Sequence, residues 1–136
     1  MLNTAMTARR ALADLSDPHL LRFKPYVNGV WQDTIAATAV VDPATGDEIA
    51  SVGDCDLEML NQAIGAAESA FKNWRVLLAR ERSKFLLSWA ELIRRHAGDL
   101  ATILTAEQGK PLAEAHAEIL YGVGFIEWFA AEGERA

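Results

Sequence analysis

The chain is 136 residues long, with 51% hydrophobic and 24% charged residues; that is a globular composition with the length for one domain and its core, and it excludes intrinsic disorder. A formal charge of −6 excludes a nucleic-acid groove, which needs clustered Lys and Arg, whereas Arg9-Arg10, Arg80/Arg82 and Arg94-Arg95 are short and interrupted by acids. No apolar run approaches a membrane span, and the single cysteine, Cys55, excludes an intrachain disulfide or a cysteine-based metal cluster.

Residues 1–24 read as a flexible or short helical lead-in. Within them, residues 7–15 suit a short, marginal helix closed by Ser16-Asp17-Pro18. The first fifteen residues lack the apolar stretch of a secretory signal. A mitochondrial presequence would carry more Arg and Ser and no Asp14. The cytoplasm is therefore the expected compartment, as the cysteine usage also fits, with the mitochondrion as the alternative.

Residues 25–53 read as β structure. Asn28-Gly29, set between Tyr26-Val27 and Val30-Trp31, is the residue pair of a type I′ hairpin turn. Thr38–Val41 and Glu48–Val52 flank a turn at Pro43–Gly46 and predict a second hairpin. From Asp56 the apolar period becomes helical. Leu57, Leu60, Ile64, Ala67, Phe71 and Trp74 trace one face of an amphipathic helix, with Asp54 or Asp56 as its N-cap. A second helix is expected from about Arg80 to His96, with Phe85, Leu86, Trp89, Leu92 and Ile93 turned inward and Gly98 as its stop. Asp99 is the expected cap of a third helix reaching Gln108. Gly109 suits the left-handed position after that helix, and Pro111 the first position of a fourth, running to about Glu134. The fold class is thus α+β: two small hairpins, then four α-helices joined by short connections.

Chemistry-bearing groups are sparse. Gly122-Val123-Gly124 lies in a helical pattern and lacks the strand-to-helix setting and third glycine of a dinucleotide loop, so it reads as small residues where helices pack closely. Cys55 lies between Asp54 and Asp56, which disfavour a thiolate, and reads as a loop cysteine. His19, His96 and His116 have no metal-ligand spacing, and His96 suits a helix C-terminus. Glu114 and Glu118 read as a solvated helix face, and Lys110 as an exposed corner residue. Tyr121, Phe125 and Phe129, spaced four apart, share one helix face, for which core packing is the plain account. Phe125, Ile126, Trp128 and Phe129 leave the last helix apolar nearly all round, which calls for cover on several sides and predicts self-association of the chain alone. No catalytic and no cofactor-binding residue is assigned within the chain.

Glu107–Ala115, followed by Phe125–Phe129, closely resembles a segment near the N-terminus of the aldehyde dehydrogenase superfamily, most like its NAD(P)-dependent succinate-semialdehyde dehydrogenase branch. Tyr26–Trp31 is similar to the family's first strand pair, and Asp42-Pro43-Ala44-Thr45-Gly46 to its Asn-Pro-Ala-Thr-Gly turn, with Asp for the usual Asn. Trp74 and Glu81-Arg82 match the end of the first long helix and the start of the second, and Ser16–Leu21 the branch's lead-in. The resemblance covers residues 16–136.

It implies that residues 25–136 are the N-terminal part of a cofactor-binding domain in an α/β aldehyde dehydrogenase-like fold, truncated before the Rossmann strands and the catalytic domain. The parent would oxidise succinate semialdehyde or a similar aldehyde to the acid with NAD or NADP, through a cysteine nucleophile and a glutamate base that lie beyond this segment. The chain alone is then expected to be inactive and to bind no dinucleotide. Its partner would be the remainder of the enzyme, itself a homo-oligomer, with neither nucleic acid nor membrane. The resemblance also sets Tyr121, Phe125 and Phe129 beside the aldehyde tunnel, and Val41 and Glu107 near a structural monovalent cation held mostly by backbone oxygens. The alternative is a stand-alone helical interaction module without catalysis. The coding sequence downstream separates the two: a Gly-rich βα unit and an isolated cysteine belong to the enzyme.

Overall fold

The computed structural model of the chain describes residues 8–135. A short helix α1 (Ala8–Ala13) and a single 3-10 turn (Pro18–Leu20) precede two antiparallel hairpins, β1 (Tyr26–Val27) with β2 (Val30–Trp31) and β3 (Ala37–Val41) with β4 (Glu48–Gly53). Four helices follow: α2 (Leu57–Trp74), α3 (Ala79–Arg95), α4 (Ala97–Gln108) and α5 (Leu112–Glu132). The expected α+β order is the observed one. Residue 7, the first of the expected lead-in helix, lies outside the described residues.

The turns form where residue chemistry demands them. Asn28 and Gly29 take φ of 49° and 82°, the left-handed pair of a type I′ turn. The register pairs Tyr26 with Trp31, whose rings lie 4.9 Å apart. In the second hairpin, Val40 faces Ala50 while Val41 faces Glu48, so Ile49 is the extra residue of a bulge beside the turn. Asp42 closes that turn three ways: its N–H donates to the Asp47 carbonyl at 2.8 Å, its carbonyl accepts from Gly46 N–H at 2.8 Å, and its Oδ1 accepts from Ala44 N–H at 2.8 Å. The side chain serves only as an acceptor, so Asp makes the bonds of this turn as fully as Asn would.

Helix boundaries follow their caps. Asp56, not Asp54, caps α2, accepting from Met59 N–H at 2.8 Å. Asp54 instead accepts from the Thr38 hydroxyl across the hairpin. Glu81 reaches back to Leu78 N–H at 2.9 Å and starts α3. The break between α3 and α4 falls at His96, whose N–H donates to Leu92 O at 3.1 Å; Gly98, the expected stop, lies inside α4. Gly109, at φ 78°, ends α4 with its N–H on Thr105 O at 2.8 Å. Pro111 is the N-cap of α5 and not its first helical residue, its carbonyl accepting from Glu114 and Ala115 at 3.0 Å.

The core lies where α3 and α4 pack along α5. It is built mostly from small side chains: Ser83 and Ala90 of α3, Ala97, Ala101 and Ala106 of α4, and Ala115, Val123 and Ala130 of α5. This packing corrects two expectations, on α3 and on α5, and leaves the stripe of α2 uncovered. The Leu57–Trp74 stripe of α2 is exposed, and α2 buries no residue fully. On α3 the inward side is Ser83, Ala90 and the half-buried Leu86 and Ile93, whereas Phe85 is 61% and Trp89 55% exposed and Leu92 is exposed as well. Gly122 and Gly124 meet no neighbour within 4 Å of a Cβ, so they mark no close helix contact among the described residues. Periodicity identifies a face that water disfavours, but not the element that covers it.

Candidate aromatic site on the last helix

Positions 121, 125 and 129 recur every fourth residue of α5, with 124 and 128 between them on the same side. Tyr121 and Phe125 meet edge to face at 4.8 Å, and Trp128 and Phe129 at 4.9 Å. Together with Gly124 they line an open cleft of about 390 Å³. Core packing does not account for these rings among the described residues: Tyr121 is 69% and Trp128 57% exposed, and Phe125 and Phe129 are exposed too. The Tyr121 hydroxyl and the Trp128 indole N–H are the polar side-chain groups of the lining. Such a wall can receive and orient an apolar or π-bearing group; it holds no base or nucleophile. Beside it, Glu127 accepts from Arg94 with both carboxylate oxygens, at 2.7 and 2.8 Å, which ties α5 to α3 and engages the acid. Trp128 belongs to this lining although its place was readable only as general apolarity; its signal is the seven-residue step from Tyr121.

Val41 ends β3 and Glu107 sits in the last turn of α4, both exposed. The fold brings their neighbours together. A Cβ on Gly109 would lie 2.9 Å from Pro43 Cγ, so the β3–β4 turn rests against the α4–α5 corner. A second cleft, of about 320 Å³, opens there between Asp42, Thr105 and Ala106, with Ala8 and Ala11 of α1 as another wall. The Thr105 hydroxyl is buried in the fold without a hydrogen-bond partner. Neither Val41 nor Glu107 lines this cleft.

Other groups stand apart. Cys55 is exposed in the loop before α2. Among the described residues, no three His, Cys, Asp or Glu side chains gather as metal ligands, and no helix is long and apolar enough to cross a membrane. Lys110 is not the exposed corner residue expected: it is half-buried and ion-paired with Glu118. Asp99 does not cap its own helix; its carboxylate is turned to the chain before β1.

Known proteins share this arrangement. The family model described as "Aldehyde dehydrogenase family" matches residues 31–136. The non-phosphorylating aspartate-semialdehyde dehydrogenase of Halomonas elongata is 46% identical over 123 residues, which is 89% of this chain and 25% of that protein. The NADP(+) succinate-semialdehyde dehydrogenase GabD of Escherichia coli K12 is also 46% identical over 123 residues, covering 89% of this chain and 26% of the relative. The crystal structure of succinate-semialdehyde dehydrogenase from Burkholderia pseudomallei matches with a TM-score of 0.87 at 46% identity, over 90% of this chain and 26% of that one. The chain thus spans about a quarter of the length of the curated relatives it matches.

Proposed function

The chain belongs to the aldehyde dehydrogenase family, and from that premise we propose that it forms the N-terminal part of the cofactor-binding domain of an NAD(P)-dependent enzyme that oxidises a short, carboxylate-bearing aldehyde, succinate semialdehyde foremost, to the acid. The observation that carries this reading is the continuous match at 46% identity to enzymes named for semialdehydes of dicarboxylic acids. In such an enzyme the nicotinamide takes up hydride. On this reading the nicotinamide site lies in the remainder of the enzyme. Gly122 and Gly124 sit inside α5 and not at a strand-to-helix turn, and Cys55 is an exposed loop residue between two aspartates. No reaction step is assigned to them.

The part proposed for this chain is positional. Tyr121, Phe125 and Phe129, with Trp128 beside them, line the route by which aldehyde reaches the reacting centre. The backbone around Val41 and Glu107 supplies oxygens to a monovalent cation. The remainder of the enzyme covers the apolar faces of α2, α3 and α5, and the whole assembles as a homo-oligomer in the cytoplasm, with the mitochondrion as the alternative. The interaction-module reading draws on those same uncovered faces; it requires the 136-residue chain to be a stable monomer by itself.

The test is NAD(P)H formation from succinate semialdehyde by the full-length enzyme that carries this segment. Phe125→Ala should raise KM for the aldehyde about tenfold, the worth of one lost apolar contact, and leave KM for the dinucleotide unchanged. No turnover of any short carboxylated aldehyde would sink the substrate reading. Turnover with an unchanged KM in the variant would remove Phe125 from the aldehyde route. The chain alone should form no NAD(P)H; saturable formation abolished by Cys55→Ser would reverse the reading of that cysteine.

A further inference from the structure

We infer that residues 8–21 form a strap that opens and closes on α4 as a unit, with the Asp99 carboxylate as its latch. Both Asp99 oxygens are spent across the chain: Oδ1 accepts Ser16 N–H at 3.1 Å and Oδ2 accepts Asp17 N–H at 2.8 Å. An acid in the first turn of a helix ordinarily serves that helix's own free N–H groups. Here it serves two amides more than eighty residues earlier in the chain. The segment is shaped to present them. Asp17 Oδ1 accepts His19 N–H at 3.0 Å, and Leu21 N–H donates to Pro18 O at 3.2 Å, folding the chain into the 3-10 turn.

Among the described residues, little else holds the strap. α1 has six residues, too few to persist as an isolated helix. Its packing partner is α4. Leu12 and Leu15 are the segment's buried side chains, and Arg9 Nε adds one bond to the Glu48 carbonyl at 2.8 Å. Burial of two leucines offsets only part of the entropy of ordering the segment, so closure depends on the latch. A unit of this kind opens locally while the rest of the fold persists. Opening would remove the Ala8 and Ala11 wall from the cleft at Asp42 and Thr105 and bare the alanine face of α4. The strap is thus a removable wall of that cleft.

The test combines trypsin cleavage after Arg9 and Arg10 with amide exchange at Ser16 and Asp17. Asp99→Asn keeps the shape but loses the charge that both N–H groups point at. Cleavage should accelerate about tenfold, the factor expected for losing charge-assisted hydrogen bonds, with helix content and α5 protection unchanged. Leu15→Ala should produce the same selective opening. In the unaltered protein, the Ser16 and Asp17 amides should already exchange faster than those of α5. An unchanged cleavage rate in Asp99→Asn would overturn the latch. Equal loss of protection in α4 and α5, or a variant that does not fold, would overturn the independence of the strap, as would Ser16 and Asp17 amides as protected as α5 in the unaltered protein.

Discussion

Gly109 and Gly46 share a φ of 78°, yet their surroundings differ. A Cβ at either position carries the left-handed penalty of about 1–2 kcal/mol. At Gly46 it would meet nothing within 4 Å, whereas at Gly109 it would lie 2.9 Å from Pro43 Cγ and force the corner and the turn apart. Gly109→Ala should therefore lower the urea midpoint more than Gly46→Ala, and the reverse order would contradict the docking of turn on corner. Asp99 makes a second residue-scale prediction. The Ser16 and Asp17 N–H groups, with a smaller contribution from His96, hold its carboxyl below its ordinary range. A depressed folded-state pKa gives stability that is present above the unfolded value, about 3.9, and lost as pH falls through the folded one. Asp17 is the other acid at the latch, and its Oδ1 is engaged by His19 N–H. The Ser16 and Asp17 amide resonances should hence stay fixed from neutral pH down to pH 5 and move only in the acid range. Movement already between neutral pH and pH 5 would remove Asp99 as the group responsible.

At the scale of elements, α5 has two unlike sides. One buries Ala115, Val123 and Ala130 against α3 and α4; the other displays four aromatic rings. Val123 is the largest fully buried side chain among the described residues. Val123→Ala should cost about 1–2 kcal/mol, the worth of two buried methyl groups. Phe129→Glu on the open side should change the stability of the chain by no more than about 0.5 kcal/mol. Chemical denaturation of both variants checks this contrast, and a larger loss for Phe129→Glu would mean that the ring is part of the fold's own core. The small residues of α3, α4 and α5 let the helices approach closely, which leaves their bulky apolar residues directed outward.

The molecule as a whole therefore carries a core of small side chains and an outer surface rich in large apolar ones, including Leu57, Ile64, Phe71, Phe85, Trp89 and Trp128. Contiguous patches of this kind recruit a partner or aggregate. The chain alone should self-associate or bind a hydrophobic dye in solution, and Trp128→Glu or Phe129→Glu should relieve it; a sharp monomer peak at tens of micromolar without dye binding would favour the self-contained module. Much of this architecture was legible from residues whose requirements are local. Asn28-Gly29 admits one tight turn, Gly109 one helix end, and Asp56 together with the change of period one helix start. The same locality carried the succession of motifs by which the family was read. Which side of α2 and α3 faces inward was not legible, because an apolar stripe states only that water is unfavourable there. Asp99 was misread for a related reason: it lies in the first turn of a helix in sequence, but its partners are Ser16 and Asp17. Lys110 turns instead to Glu118 on the next helix, and Gly98 is accommodated inside α4. Local backbone chemistry determines elements, turns and the row of rings along α5 in sequence alone; the direction in which a face is covered and the latch on residues 16 and 17 arise from contacts between distant segments, and those exist only once the chain is folded.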